Sequence, residues 1–144
     1  MVRILRLVAA VLLGLIIGSV VNMGLILISG KVIPPPPGAD LTTVEGLKAS
    51  MHLLEARHFV FPFLAHAFGT LVGAFVASLL APGRSKVPAY VVGGLFMLGG
   101  IANVAMLPAP VWFSAVDLLL AYVPAAWLGQ TLAARVQSRS SSEA

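Results

Sequence analysis

Two ionisable side chains, His66 and Asp117, lie inside long apolar runs of the sequence. A carboxylate beside an imidazole can relay a proton, couple transport to a proton or hold a cation. The same pair can also form a structural hydrogen bond that fixes how two helices pack. Interhelical hydrogen bonds contribute only about 0.6 kcal/mol on average, so the gain would be specificity of packing. The structural interpretation is favoured, and the transport interpretation stays open.

Other polar side chains interrupt the apolar runs at comparable depths. With a rise of about 1.5 Å per residue, Asn22, His66, Asn103 and Asp117 lie about 10, 12, 6 and 9 Å inside the same end of their helices. A lipid-facing polar group is unfavourable, by about 2.5–3.5 kcal/mol for an aspartate at a helix centre. We therefore predict one shared intramembrane polar pocket, built from Asn22, His66, Thr70, Asn103 and Asp117.

Small residues recur every four positions along the same runs. Such rows allow two helices to approach closely in a membrane. On the first, third and fourth runs the polar residue lies on the row itself, which predicts that packed faces and polar faces coincide. The glycines predicted to pack helices together are Gly14, Gly18, Gly69, Gly73, Gly99 and Gly129.

The elements that position these residues follow from composition. The chain has 144 residues, of which 59% are hydrophobic and 10% charged, with a mean hydropathy of +1.01. Soluble domains are about 25% charged, and a span needs about 20 apolar residues. These values predict an all-α fold with four transmembrane helices and one short amphipathic helix. The single membrane domain, 1–144, divides into TM1 4–29, outer loop and helix 30–57, TM2 58–81, TM3 87–107, TM4 111–134 and a frayed tail 135–144.

The polar segment between the first two spans carries its own signals. The four prolines at 34–37 favour an extended chain. Thr42 and Glu45 match the S/T-x-x-E capping box, so a helix is expected over 43–56. Its apolar residues share one face and predict that it lies on the membrane or caps the bundle; they are Val44, Leu47, Met51 and Leu54.

Pro124 lies in the middle of the fourth span. It removes the helical hydrogen bond to the carbonyl of Leu120, one turn from Asp117. We interpret it as a kink that helps the helices to pack, because proline is common in spanning helices.

Basic residues are distributed unequally between the two sides of this topology. Six of the nine lie beside the termini and the TM2–TM3 turn, and three lie on the other side. The positive-inside rule therefore places both termini in the cytoplasm, with the proline-rich segment outside. The six are Arg3, Arg6, Arg84, Lys86, Arg135 and Arg139; the three are Lys31, Lys48 and Arg57.

Several kinds of chemistry are excluded or unsupported. The chain has no cysteine, which excludes thiolate catalysis, disulfides and iron–sulfur clusters. His52, His58 and His66 show no metal-binding spacing, so no metal or other cofactor is predicted. No nucleophile stands beside a base at a recognisable spacing, so no catalytic residue and no enzyme is predicted. No basic stripe could follow a phosphate backbone, so no nucleic-acid partner is predicted.

Two stretches carry a resemblance to known proteins: HFVFPFLAHAFGTLVGAF at 58–75 and GGIANVAMLPAPVWFSAVD at 99–117. They resemble those of an uncharacterised family of small four-helix bacterial inner-membrane proteins. The resemblance implies the fold and the location but no activity. The chain is similar in size to small multidrug transporters and fluoride channels, but TM1 has no carboxylate and no Thr-Thr-Phe-Ser run occurs.

The first expectation for function is an inner-membrane protein of structural or accessory type with an outward-facing polar pocket. The alternative is a small proton- or cation-coupled transporter or channel, in which Asp117 binds the ion and His66 tunes it. The expected partners are the lipid bilayer and, through the small-residue rows, a second copy of the chain or other membrane proteins.

Overall fold

The protein is all-helical in a computed structural model that describes residues 1–142, with side chains described through residue 140. No strand occurs between residues 1 and 142. Four segments are long and apolar enough to cross a membrane: Val2–Val32, Ala56–Leu80, Val87–Met106 and Val111–Ser140. The predicted all-α fold with four transmembrane helices is therefore confirmed. The α-helices are α1 Val2–Val32, α2 Val44–Ser50, α3 Val60–Leu80, α4 Val87–Met106, α5 Val111–Leu120 and α6 Val123–Ser142.

The first helix, α1, extends beyond the predicted 4–29 at both ends. It continues until Ile33, which is extended, with φ −123° and ψ 90°. Ile33 precedes Pro34, and the ring of a proline disfavours helical backbone in the residue before it. The end of the helix is thus set by the proline and not by the polarity of Lys31.

The segment between α1 and α3 is more broken than the predicted helix at 43–56. Thr43 and not Thr42 caps α2, because its hydroxyl accepts a hydrogen bond from the amide of Gly46 at 2.9 Å. The helix ends at Ser50, and two single 3₁₀ turns follow, Met51–Leu53 and Ala56–Phe59. Leu54 between them is extended. The N-cap therefore lies one residue later than predicted, and no capping box forms at this helix, because the third helical residue after Thr43 is Gly46.

Hydrogen bonds within this segment hold it in place. The carboxylate of Asp40 accepts bonds from the amide and hydroxyl of Thr42, which lower the pKa of Asp40. The amide of Asp40 donates to the buried hydroxyl of Ser50 at 2.9 Å. His58 Nδ1 accepts from the amide of Glu55, and His58 Nε2 lies 3.2 Å from the carbonyl of Pro34. The proline-rich stretch is thereby tied to the start of the second span.

The fourth span is divided into two helices, whereas one helix over 111–134 was predicted. α5 ends at Leu120, α6 begins at Val123, and Ala121 and Tyr122 form the break. Pro124 cannot donate to the carbonyl of Leu120, and its ring collides with that carbonyl in a regular helix. α6 then continues to Ser142, so the prediction of a frayed tail is wrong for residues 135–142.

Helix α3 forms the centre of the bundle and contacts α1, α4 and α6. Gly14 and Gly18 on α1 face Gly73 and Gly69 on α3, and a Cβ added at Gly69 would lie 2.9 Å from the carbonyl oxygen of Gly18. Only glycine permits this backbone approach. Gly129 of α6 packs against the backbone of α3 in the same way.

The predicted packing role of Gly99 is wrong. Gly99 is exposed, and a Cβ added there would meet nothing within 4 Å. Its neighbour Gly100 is buried against the ring of Tyr122. One residue corresponds to about 100° of helix rotation, so the row of small residues on α4 turns a different face to the bundle than the sequence suggested.

Candidate functional site

His66 and Asp117 meet between α3 and α5. The imidazole Nδ1 lies 2.9 Å from each of the two carboxylate oxygens of Asp117. Asp117 is only 2% exposed. A buried carboxylate needs donors for its lone pairs, so Nδ1 carries a proton and donates it. The sequence-based pairing of these two residues across the bundle is realised in the structure.

Tyr122 joins His66 and Asp117 in one hydrogen-bonded group, and it was not predicted from the sequence. Its hydroxyl donates to Asp117 Oδ2 at 3.0 Å, and its ring stacks on the imidazole of His66 with centroids 5.7 Å apart. Tyr122 is 1% exposed. Buried tyrosines usually find a hydrogen-bond partner for the hydroxyl. The sequence signal that could have found it is Pro124, two residues later, which disturbs the regular spacing of the helix.

The break in the fourth span explains how Tyr122 reaches Asp117. Residues five apart on a regular helix point about 140° away from each other, so they do not meet. Tyr122 lies in the break between α5 and α6, where the backbone departs from this regular spacing. We attribute the Asp117–Tyr122 contact to the break, and the break to Pro124.

His66 also lines a cavity of about 280 Å³, which Asp117 and Tyr122 do not line. Its polar lining consists of Asn22 of α1, His66 of α3 and Asn103 of α4. Three of the four helices predicted to converge therefore bring their polar residues to this cavity. Asn22 is partly buried, and Asn103 is exposed. Neither amide makes a side-chain hydrogen bond to any residue that the structure describes.

The rest of the lining is apolar and comes partly from the segment between α1 and α3. The same row of residues that predicted an amphipathic helix contributes three side chains, Leu47, Met51 and Leu54. Of that row, Val44 is exposed and does not line the cavity. The segment thus caps this end of the bundle. The remaining apolar lining residues are Ile26, Phe59, Pro62 and Leu107.

Two predicted pocket residues do not line the cavity. Asp117 is connected to the cavity only through His66, because its carboxylate is hydrogen-bonded to His66 and Tyr122. Thr70 is fully buried one turn from His66, and its hydroxyl has no hydrogen-bond partner. Its methyl group lies toward Gly93 of α4. Thr70 is therefore a packing residue, and its assignment to the pocket is wrong.

The three histidines are not gathered at one place. His52 is exposed, His58 ties the proline-rich stretch to Glu55, and His66 pairs with Asp117. Within residues 1–142 no three His, Asp or Glu side chains lie close enough together to hold a metal ion. The arrangement around His66 offers one imidazole nitrogen and two amides to a cavity, which suits hydrogen bonding to a small molecule.

The fold and the site define a multi-pass helical membrane protein with a buried Asp–His–Tyr group beside a partly polar cavity. Comparison of the chain with family models, with curated proteins and with solved structures finds no match.

Proposed function

We propose that the chain is an integral membrane protein of structural or accessory type with an outward-facing intramembrane polar pocket. The observation that carries this proposal is the environment of Asp117. Its carboxylate is 2% exposed and accepts hydrogen bonds from His66 and Tyr122. The buried carboxylate, hydrogen-bonded to these two neighbours, holds helices α3 and α5 together and orients the imidazole.

The proposed location is the bacterial inner membrane, with both termini in the cytoplasm. The four long apolar helices support a location in the membrane, and the excess of basic residues beside the termini supports the orientation. In this orientation the cavity opens toward the outside. The proposed partners are the lipid bilayer and either a second copy of this chain or another membrane protein.

The experiment that tests the structural role compares Tyr122→Phe with Tyr90→Phe. Tyr90 is exposed, so the control removes the same hydroxyl without breaking a bond to Asp117. We expect Tyr122→Phe to lower the free energy of unfolding by about 0.6 kcal/mol, the average for hydrogen bonds in membrane helix bundles, and by no more than about 1.7 kcal/mol, the largest value for such bonds. Unfolding of the purified protein in mixed micelles measures the difference. Equal effects of the two variants would contradict the proposed structural role.

A second candidate, a proton- or cation-coupled transporter, is favoured by one specific observation. The fourth span breaks at Ala121 and Tyr122, next to Asp117. Transporters place ion and substrate sites at discontinuous helices near the middle of the membrane. Ionisable side chains inside the membrane often belong to proton relays, so the His66–Asp117 pair beside this break is a candidate for proton coupling.

Measurement of proton or cation flux distinguishes the accessory role from the transporter. Reconstituted vesicles with a pH gradient are compared for the wild type and for Asp117→Asn, which keeps an acceptor oxygen but no charge. The accessory role predicts no flux from either protein and continued folding of the variant. A transporter would give flux in the wild type and lose it in a folded Asp117→Asn variant. Measurable wild-type flux would therefore overturn the first proposal.

A further inference from the structure

The position of the proton on the His66 imidazole decides whether its second ring nitrogen, Nε2, donates or accepts a hydrogen bond. Nδ1 donates to the carboxylate of Asp117, at 2.9 Å from both oxygens. The oxygen Oδ2 also accepts the hydroxyl of Tyr122. In the neutral imidazole with its proton on Nδ1, the nitrogen Nε2 is an acceptor. Since His66 lines the cavity, Nε2 is the ring nitrogen left for a bound molecule.

Two amides face the same space with no partner of their own. Asn22 and Asn103 line the cavity from α1 and α4, and neither side chain is hydrogen-bonded within the described residues. Each amide supplies both donors and an acceptor. A molecule that donates one hydrogen bond to Nε2 can therefore accept another from an amide through the same oxygen.

The remaining lining is apolar and carries no charged side chain. The cavity volume of about 280 Å³ lies just below the usual range for ligand sites, about 300–1,000 Å³. This space suits one ring or a short chain. A carboxylate or ammonium group would enter without a charged partner and lose its hydration, which is strongly unfavourable.

We propose that this cavity binds a small uncharged phenol or alcohol, whose hydroxyl donates to Nε2 of His66 and accepts from Asn22 or Asn103. The apolar part of the molecule lies among Leu47, Leu54, Phe59 and other apolar lining residues. The inference rests on the proposed accessory role, because it names the class of molecule that the pocket receives.

The probes are 4-fluorophenol, fluorobenzene and 4-fluorobenzoate, observed by fluorine NMR with the purified full chain in bicelles. The three share one ring and differ in the polar group. We expect a bound resonance for 4-fluorophenol and about fivefold weaker binding of fluorobenzene, because one hydrogen bond contributes about 1 kcal/mol. We expect no bound resonance for 4-fluorobenzoate.

A pair of neighbouring substitutions distinguishes binding in the cavity from partition into lipid. Leu54 lines the cavity, and Leu53 is exposed and does not. Leu54→Trp should fill the space and abolish the bound 4-fluorophenol resonance, whereas Leu53→Trp should leave it unchanged. Both residues lie outside the long helices, so the bundle should tolerate either change; helical circular dichroism checks this.

The amides are tested by Asn103→Ala, which removes hydrogen bonding at an exposed position. The preference for 4-fluorophenol over fluorobenzene should shrink in this variant or in Asn22→Ala.

Equal binding of the two probes to the wild type, preference for 4-fluorobenzoate, or persistence of binding in Leu54→Trp would overturn the proposal. These outcomes would leave the hydrogen-bond role of Tyr122 untouched, since that role is measured by unfolding without any ligand.

Discussion

A carboxylate inside a membrane needs hydrogen-bond donors, and Asp117 finds them in His66 and Tyr122. The sequence indicated the first partner, because both residues are ionisable and lie at similar depth. It gave no comparable sign of Tyr122, which is five residues from Asp117 on what the sequence presented as one regular helix. The residue that completes the site thus depends on a local break in the backbone.

Substitutions of Thr70 test whether this side chain serves helix packing or the polar pocket. Its hydroxyl is buried without a partner. An unsatisfied buried polar group is unfavourable, so replacing it by a methyl group of the same shape should be neutral or stabilising. We expect Thr70→Val to raise the free energy of unfolding by about 0–1 kcal/mol, and Thr70→Ala to lower it by about 0.5–1.5 kcal/mol.

Thermal unfolding of the two variants in one detergent checks this. A clear loss of stability in Thr70→Val would show that the hydroxyl has a partner, and the side chain would then return to the polar pocket as first predicted.

At the scale of the elements, the fourth span is the clearest case in which one residue reshapes a helix. Pro124 lies two residues after the break at Ala121 and Tyr122. The sequence predicted the loss of the bond to Leu120, but it predicted a kink within one helix. Two separate helices result instead, and the second is long enough to carry residues 135–142 as helix.

A double-mutant cycle tests whether the break positions Tyr122. Pro124→Ala restores the possibility of the helical bond to Leu120 and favours a continuous helix. Tyr122→Phe should then lose most of its effect on stability in the Pro124→Ala background, because the hydroxyl no longer reaches Asp117. The free energies of unfolding of the four proteins give a coupling of about 0.5–1.5 kcal/mol. An unchanged effect of Tyr122→Phe would show that the break does not need Pro124.

The face that α4 turns to the bundle is tested by two adjacent glycines. A Cβ at Gly100 would lie 2.6 Å from Cζ of Tyr122, whereas a Cβ at Gly99 would meet nothing. We expect Gly100→Ala to lower the free energy of unfolding by about 1–3 kcal/mol through overpacking. Gly99→Ala should be neutral or stabilising by up to about 1 kcal/mol, since alanine is the better helix former. The reverse order in unfolding experiments would mean that α4 is rotated by one residue.

At the scale of the whole molecule, the orientation in the membrane decides which solution the cavity faces. The chain contains no cysteine, so single introduced cysteines report without background. Ala49 in α2 and Lys86 before α4 are both exposed and lie at opposite ends of the bundle. They form a matched pair of sites.

We expect a maleimide that cannot cross the inner membrane to label Ala49→Cys in intact cells and Lys86→Cys only after lysis. The reason is the excess of basic side chains beside the termini, which favours their retention in the cytoplasm. Labelling of Lys86→Cys alone in intact cells would reverse the orientation, and equal labelling of both would indicate dual topology.

The amino-acid sequence alone determined the four spans, the all-α fold and the candidate residues for the polar site. It could do so because hydrocarbon requires every backbone polar group to be bonded within a helix, and because runs of about 20 apolar residues are readily recognised. It also marked Gly14, Gly18, Gly69 and Gly73 as packing residues, and these four form the close contact of α1 with α3.

Tertiary structure decided which polar groups meet. Gly100 rather than Gly99 packs, Thr70 turns away from the cavity, and Tyr122 joins Asp117. These outcomes depend on the rotation of each helix about its axis and on the break before Pro124. A change of one residue rotates a side chain by about 100°, and only the packing of neighbouring helices fixes that angle.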